Sequence, residues 1–190
     1  MSGLIVFAFV VVVVLGYAIT LYNALVRARN EVKLTWANID VLLVQRHDEL
    51  PKLIEICKRY MQHESETLER VTRARTEVDV ARSAGNISSV SAAEGALRSG
   101  LQGLYAVAER YPDLKADTLF RNLQTRISAL ETAIADRREV YNDAVNALSV
   151  RIETFPDALI ASLFGFQPAR LLKFTAEQTS DVDVKLAFGS

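Results

Sequence analysis

The order of apolar and polar positions divides this chain into parts built for different solvents. Residues 4–22 read LIVFAFVVVVVLGYAITLY, 19 residues in which Thr20 is the only clearly polar side chain. A helix apolar on every face belongs inside a large protein or in lipid. At 1.5 Å rise per residue this one is roughly 28 Å long, close to the ~30 Å hydrocarbon core of a bilayer. The pattern predicts a transmembrane anchor over residues 1–26. A cleaved signal peptide is the competing reading, because Gly16, Tyr17 and Ala18 resemble a cleavage site. Against it, residues 1–3 carry no Lys or Arg and the apolar run is longer than an ordinary signal core.

Beyond the span the period changes to that of packed helices. Trp36, Ile39, Leu43, Arg46, Leu50, Leu53, Cys57, Tyr60 and Glu64 step by alternating threes and fours, which brings them onto one stripe. Leu68, Val71 and Val78 extend the stripe towards Arg82. The spacing predicts one helix over residues 21–82, about 90 Å long, interrupted only by a kink or break at Pro51. Gly85 and Asn86 predict its stop. Ser91 and Glu94 have capping-box spacing and predict the next start, with Leu97, Leu101, Leu104, Ala108 and Tyr111 on the apolar side of the second helix.

Pro112 and Asp113 predict the second turn, with Asp113 as N-cap. The third helix then presents Leu119, Leu123, Ile127, Leu130, Ile134, Tyr141, Val145, Leu148 and Ile152 on one side. It is expected to end near Thr154, since Pro156 disfavours helical geometry at Phe155. A fourth, short helix over 157–164, stopped by Gly165, is expected on the end of the bundle. The fold class is therefore all-α: a single N-terminal transmembrane helix continuing into a long antiparallel three-to-four-helix coiled-coil-like bundle over 27–174, then an extended or loosely ordered tail over 175–190. The short second helix is expected to leave apolar stripe uncovered, the kind of surface that associates with a second copy or another chain.

Charge adds direction. None of the 22 Lys+Arg and 23 Asp+Glu lies before Arg27. Arg27, Arg29 and Lys33 follow the span, and the positive-inside rule then places the carboxyl-terminal domain in the cytoplasm and the amino terminus outside. Cys57 is the only cysteine, so no internal disulfide forms. Arg70, Arg73, Arg75 and Arg82 are interrupted by Glu66, Glu69, Glu77 and Asp79, a salt-bridged helix surface and not a nucleic-acid stripe.

Candidate chemistry is sparse. His63 and Glu64 open like a zinc-protease motif, but Thr67 stands where the second ligand is required. His47 and His63, sixteen residues apart, do not form a one-face metal pair and are read as helix-surface residues. The glycine patterns of phosphate, dinucleotide and nucleophile-elbow loops do not occur, and Cys57 on the buried stripe behaves as a small hydrophobe. The expectation is no catalytic residue, no metal, no cofactor, no small-molecule substrate and no nucleic-acid partner.

Several blocks resemble the LemA family. Tyr22, Asn23, Arg27, Arg29 and Asn30, then Trp36, Ile39 and Asp40, then Arg46, Asp48, Leu50, Pro51 and Leu53 look like that family's signature first helix. The likeness continues through Tyr60, His63 and Glu64, through Tyr111, Pro112, Asp113 and Leu114, through Arg137, Arg138, Tyr141 and Asn142, and through Phe155, Pro156, Leu163, Phe164, Gly165 and Phe166. Leu148 and Ser149 depart from a usual Tyr-Asn pair, and Asp117 replaces a common Asn. The resemblance implies a bacterial inner-membrane protein with one span, an extracytoplasmic amino terminus and a cytoplasmic helical bundle, without an established enzymatic activity. It further implies envelope or membrane-stress functions, partnership with a membrane-embedded metalloprotease, and relatives in membrane-organelle formation.

Tyr22, Asn23, Arg27, Arg29 and Asn30 lie where the helix leaves the bilayer, where aromatic and cationic side chains anchor at headgroups. Asn23 and Asn30, seven residues apart, are alternatively polar register-setters between helices of adjacent subunits or a partner. Trp36 is expected in the core. Phe155, Pro156, Phe164 and Phe166 are expected to cap the bundle, or else to seat a partner peptide. The function expected is a membrane-anchored, non-enzymatic scaffold or adaptor that forms homo-oligomers or docks an inner-membrane partner such as that metalloprotease. An extracytoplasmic coiled-coil adaptor and a hydrolase with an unrecognised site are the rival readings.

Overall fold

A computed structural model describes residues 2–172 and contains six helices and, among those residues, no strand. They are α1 (Ser2–Tyr60), α2 (Ser65–Ser83), α3 (Ile87–Ala108), α4 (Pro112–Ala116), α5 (Thr118–Glu153) and α6 (Asp157–Leu163). The amino-terminal part of α1 is long and apolar enough to cross a membrane, and none of its apolar window is buried among the described residues. The all-α class expected from periodicity is what is found. The tail expected over 175–190 lies outside the described residues.

Pro51 does not break α1. Its neighbours Leu50 and Leu53 are both wholly buried, and the packing of that apolar side offsets the one backbone hydrogen bond that proline removes.

The break falls ten residues later, where no proline or glycine marks it, and corrects the single helix expected over 21–82. After Tyr60 the chain turns through residues 61–64. The Met61 side chain is wholly buried. Glu64 Oε1 accepts from Arg110 Nη2 at 2.7 Å and from Tyr111 Oη at 3.2 Å, which pins the corner. Helix α2 then doubles back along α1: Arg75 Nε donates to the His47 carbonyl at 3.0 Å, and Arg82 Nη1 donates to Asp40 Oδ1 at 3.3 Å. The three–four stripe persists across the corner because each half of it is buried against the same core.

The remaining boundaries follow local chemistry. α2 ends in a Schellman turn, with Asn86 N–H donating to the Ala81 carbonyl at 3.2 Å and Gly85 N–H to Arg82 at 3.0 Å, while Gly85 takes φ 64°. Asn86 then serves as N-cap of α3, its side chain accepting from Ser89 N–H at 3.2 Å. α3 thus starts before Ser91, and the capping box expected there is not used; Glu94 is buried instead. Asp113 likewise does not cap α5 but lies in the one-turn α4. The cap is Asp117, whose Oδ1 accepts from Leu119 and Phe120 N–H at 2.8 and 3.3 Å. That start rotates Leu119 outward, 60% exposed, and buries Phe120, so Leu119 leaves the apolar side expected for it.

The chain forms two compact units. One comprises residues 1–39 and 135–170, in which α1 and α5 run antiparallel: Trp36 meets Tyr141, and further back along α1 Leu25 shares a cluster with Ile152. The other comprises, among the described residues, 40–134 with 171–172 and holds the main core, built from Leu53, Cys57, Val71, Leu97, Leu101, Leu104, Phe120 and Ile127 among others.

Two glycine substitutions separate the backbone effects. Gly85→Ala forces a Cβ into left-handed geometry and is expected to cost about 1–2 kcal/mol. Gly103→Ala, inside α3 with open space around its Cα, is expected to stabilise by about 0.5–1 kcal/mol. Melts of both variants in the same detergent check the opposite signs.

Candidate functional site

The residues singled out at the helix exit separate into those that face α6, half-buried Tyr22 and exposed Arg29, and those that face away from it. Tyr22, Leu25, Val26 and Arg29 are spaced by threes and fours and share one side of α1. Against them the end of α6 closes. Leu25 is wholly buried, with Ala161 at 1% and Phe166 at 7% exposure, and Ile152 and Ile160 packed around them. The Tyr22 ring lies 4.8 Å from Phe164 and 5.9 Å from Phe166, tilted against both. The Arg29 guanidinium stands 5.1 Å from the Phe166 centroid. Each aromatic pair contributes about 0.5–1.5 kcal/mol beyond area burial, and an exposed cation–π contact about 0.5–1 kcal/mol.

Gly165 makes this clasp possible. It takes φ 68° just after α6, with Phe166 N–H donating to the Ala161 carbonyl at 2.9 Å. The reversal sets Phe164 and Phe166 against the same tyrosine. Asn23, Arg27 and Asn30 face away and are exposed, so the exit-helix residues are not one site. Phe155 and Phe164 are 77% and 58% exposed and do not bury as cap residues, whereas Phe166 does. Pro156 is half-buried. Trp36 is only half-buried, its ring 5.9 Å from that of Tyr141. The Tyr141 hydroxyl donates to the Arg170 carbonyl at 2.9 Å, and burial raises its pKa.

In the unit of residues 40–134 the structure brings together a polar group that the sequence reading passed over. Arg46 Nη2 donates to Glu94 Oε1, with both side chains below 8% exposure. By spacing alone Arg46 belongs to the apolar stripe and Glu94 to a capping box; a cation at a core position of a three–four repeat is the signal in the sequence that points to a buried pair. Near them, Glu131 Oε1 and Tyr105 Oη are buried without a hydrogen-bond partner among the described residues. Burial raises the Glu131 pKa, aided by Glu94 and opposed by Arg46 and Arg98. Burial also raises the Tyr105 pKa, with Glu131 adding to the effect.

Other reactive candidates are tied up in structure. Burial pushes the Cys57 thiol up to about 12, so it carries no thiolate at neutral pH. His47 is not a plain surface residue: its Nε2 lies 2.6 Å from Arg75 Nη2, and burial followed by the Arg75 charge lowers its pKa. Held neutral, it accepts from the guanidinium and fastens α2 to α1. His63 is exposed in the corner and not on a helix. Among the described residues no group of three His, Cys, Asp or Glu is placed to hold a metal ion.

The buried pair makes a double-mutant prediction. Arg46→Met or Glu94→Leu alone is expected to cost about 3–5 kcal/mol, while the double change is expected to be neutral or stabilising by about 1–4 kcal/mol. Denaturant titration of the three variants measures this. Glu131 gives a pH prediction. Its folded-state pKa is raised, so its contribution to stability is present below the ordinary carboxyl value of 4.5 and is lost as pH rises through the folded value. Glu131→Gln is therefore expected to match the parent at low pH and to exceed it increasingly in melting temperature towards pH 8; a constant gap contradicts this.

Comparison with known proteins places the sequence in a family. The LemA family profile covers residues 35–188. Protein LemA of Metamycoplasma hominis is 26% identical over 165 residues, covering 85% of this chain and 73% of the relative. Magnetosome protein MamQ 2 of Paramagnetospirillum magneticum is 23% identical over 171 residues, covering 78% of this chain and 63% of the relative. Magnetosome protein MamQ of Magnetospirillum gryphiswaldense is 21% identical over 169 residues, covering 77% and 62%. The chain thus spans somewhat less than two thirds of the magnetosome proteins it matches. With its matched region running from the packed part of α1 through α6 and beyond, this chain belongs to the LemA family.

Proposed function

We propose that this protein is a non-enzymatic scaffold or adaptor, anchored in the inner membrane with its helical units in the cytoplasm, that acts by assembling with copies of itself or by docking a membrane partner. The observation that carries this reading is the continuity of α1. One unbroken helix passes from an apolar stretch that none of the described residues buries into a surface packed on one side. An anchor fused to its domain in this way holds the domain at a set place on the membrane, and confinement raises effective concentration without large intrinsic affinity.

The orientation rests on Arg27, Arg29 and Lys33 beyond the span. The docking surface is sought in the unit of residues 1–39 and 135–170, where Leu34, Val140 and Val150 are 57%, 47% and 53% exposed. A membrane-embedded quality-control metalloprotease is the partner class suggested by the family resemblance, with envelope homeostasis as the setting. Relatives named for the magnetosome support a role tied to membranes.

A photo-crosslinking amino acid at Leu34, Val140 or Val150 in native membranes is expected to capture a second copy or a membrane protein. Monomer alone at all three positions, together with monomeric protein in mild detergent, removes the support for this reading.

A further inference from the structure

We infer that α6 and the turns flanking it form a second membrane contact, a wedge that lies in the headgroup–acyl boundary beside the span. Phe155, Leu159, Leu163 and Phe164 are 77%, 64%, 75% and 58% exposed, a dense apolar surface within one short segment. Leu159 and Leu163 are one helical turn apart on the same side of α6. Water-facing surfaces rarely gather so much large apolar area without a use for it.

The position of this knuckle argues for lipid as its occupant. Phe164 rests against Tyr22, the last residue of the apolar run, and Ala161 and Ile160 pack with Leu25 in the next turn. The run of residues 4–22 matches the ~30 Å hydrocarbon core, so Tyr22 stands at headgroup level and α6 is held beside it. The exposed face lies beside the end of the candidate span, where Tyr17 and Ile19 on α1 are themselves 56% and 59% exposed. Residues 158–166 contain no Asp, Glu, Lys or Arg. The cations that border the segment are suited to headgroups: Arg29 on α1, 5.1 Å from the Phe166 ring, and Arg151, which pairs with Asp157 at 3.2 Å at the start of α6. An apolar face with a cationic margin is the composition of interfacial elements, which sit about 5–10 Å into the boundary. The clasp then has a purpose. It fixes a second contact at a set distance from the span and limits the tilt and rotation of α1.

This inference rests on reading residues 4–22 as a membrane span, and its test keeps the two apart. Full-length chain with Cys57→Ala is given single cysteines by Val12→Cys, Leu159→Cys, Leu163→Cys or Thr125→Cys. Each is spin-labelled and reconstituted in phosphatidylcholine–phosphatidylglycerol nanodiscs, and collisions with oxygen and with a water-soluble nickel complex are measured. The expected result places positions 159 and 163 at interfacial depth, more accessible to oxygen than to nickel, with 12 deeper and 125 in water. Positions 159 and 163 as open to nickel as 125, with 12 still in lipid, overturn the wedge and leave the anchor standing. Shielding of 159 and 163 from both colliders overturns it in favour of a protein occupant. A water-exposed 12 removes the anchor and the wedge together.

Discussion

A backbone N–H or carbonyl in hydrocarbon has no water to bond, so a single chain segment in lipid must satisfy those groups within itself, as an α-helix does. Residues 4–22 are long and apolar enough to cross a membrane, and the rest of this structure depends on the helix they form, which does not end where the apolar run ends. α1 continues to Tyr60 as one element. The turn that leaves the apolar stretch is therefore a rigid joint, and the first tertiary contacts of the chain form there: Tyr22 on Phe164 and Phe166, with Leu25 sealed beneath.

The second unit is organised around a different cost. Arg46 and Glu94 are removed from water together, and desolvating two charges is repaid only when their geometry is good. Apolar side chains in a three–four stripe tolerate a slip of one turn, whereas a lone buried guanidinium does not. The pair, the Arg75–His47 contact and the Arg82–Asp40 bridge together set the register of α2 and α3 on α1. Glu131 and Tyr105 sit in the same polar interior with oxygens unpaired among the described residues, and burial raises the pKa of both.

Much of the helical layout was legible because it is local. The stops at Gly85 and Gly165 needed only a residue able to take positive φ, and both take it. The burial of Leu43, Leu50, Leu53, Leu97, Leu101, Leu104, Ile127, Ile134 and Val145 followed from their spacing. The corner at residues 61–64 was not legible, because Gln62, His63, Glu64 and Ser65 all tolerate a helix and the stripe continues through them. Its cause is distant: Arg110 and Tyr111 hold Glu64 from the far end of α3. The same holds for the candidate site, where Tyr22 and Arg29 were recognised as exit residues but their partners on α6 were assigned only to a general cap.

The sequence by itself determined the all-α class, the apolar segment, the family and most of the core, since each depends on side chains within a few turns of one another. Only the tertiary structure decided where α1 stops, which motif residues gather at the clasp, which aromatic rings stay exposed, and that Arg46 is paired inside the core. Those outcomes are set by contacts between residues far apart in the chain, whose energies exceed the small local preferences that spacing and capping express.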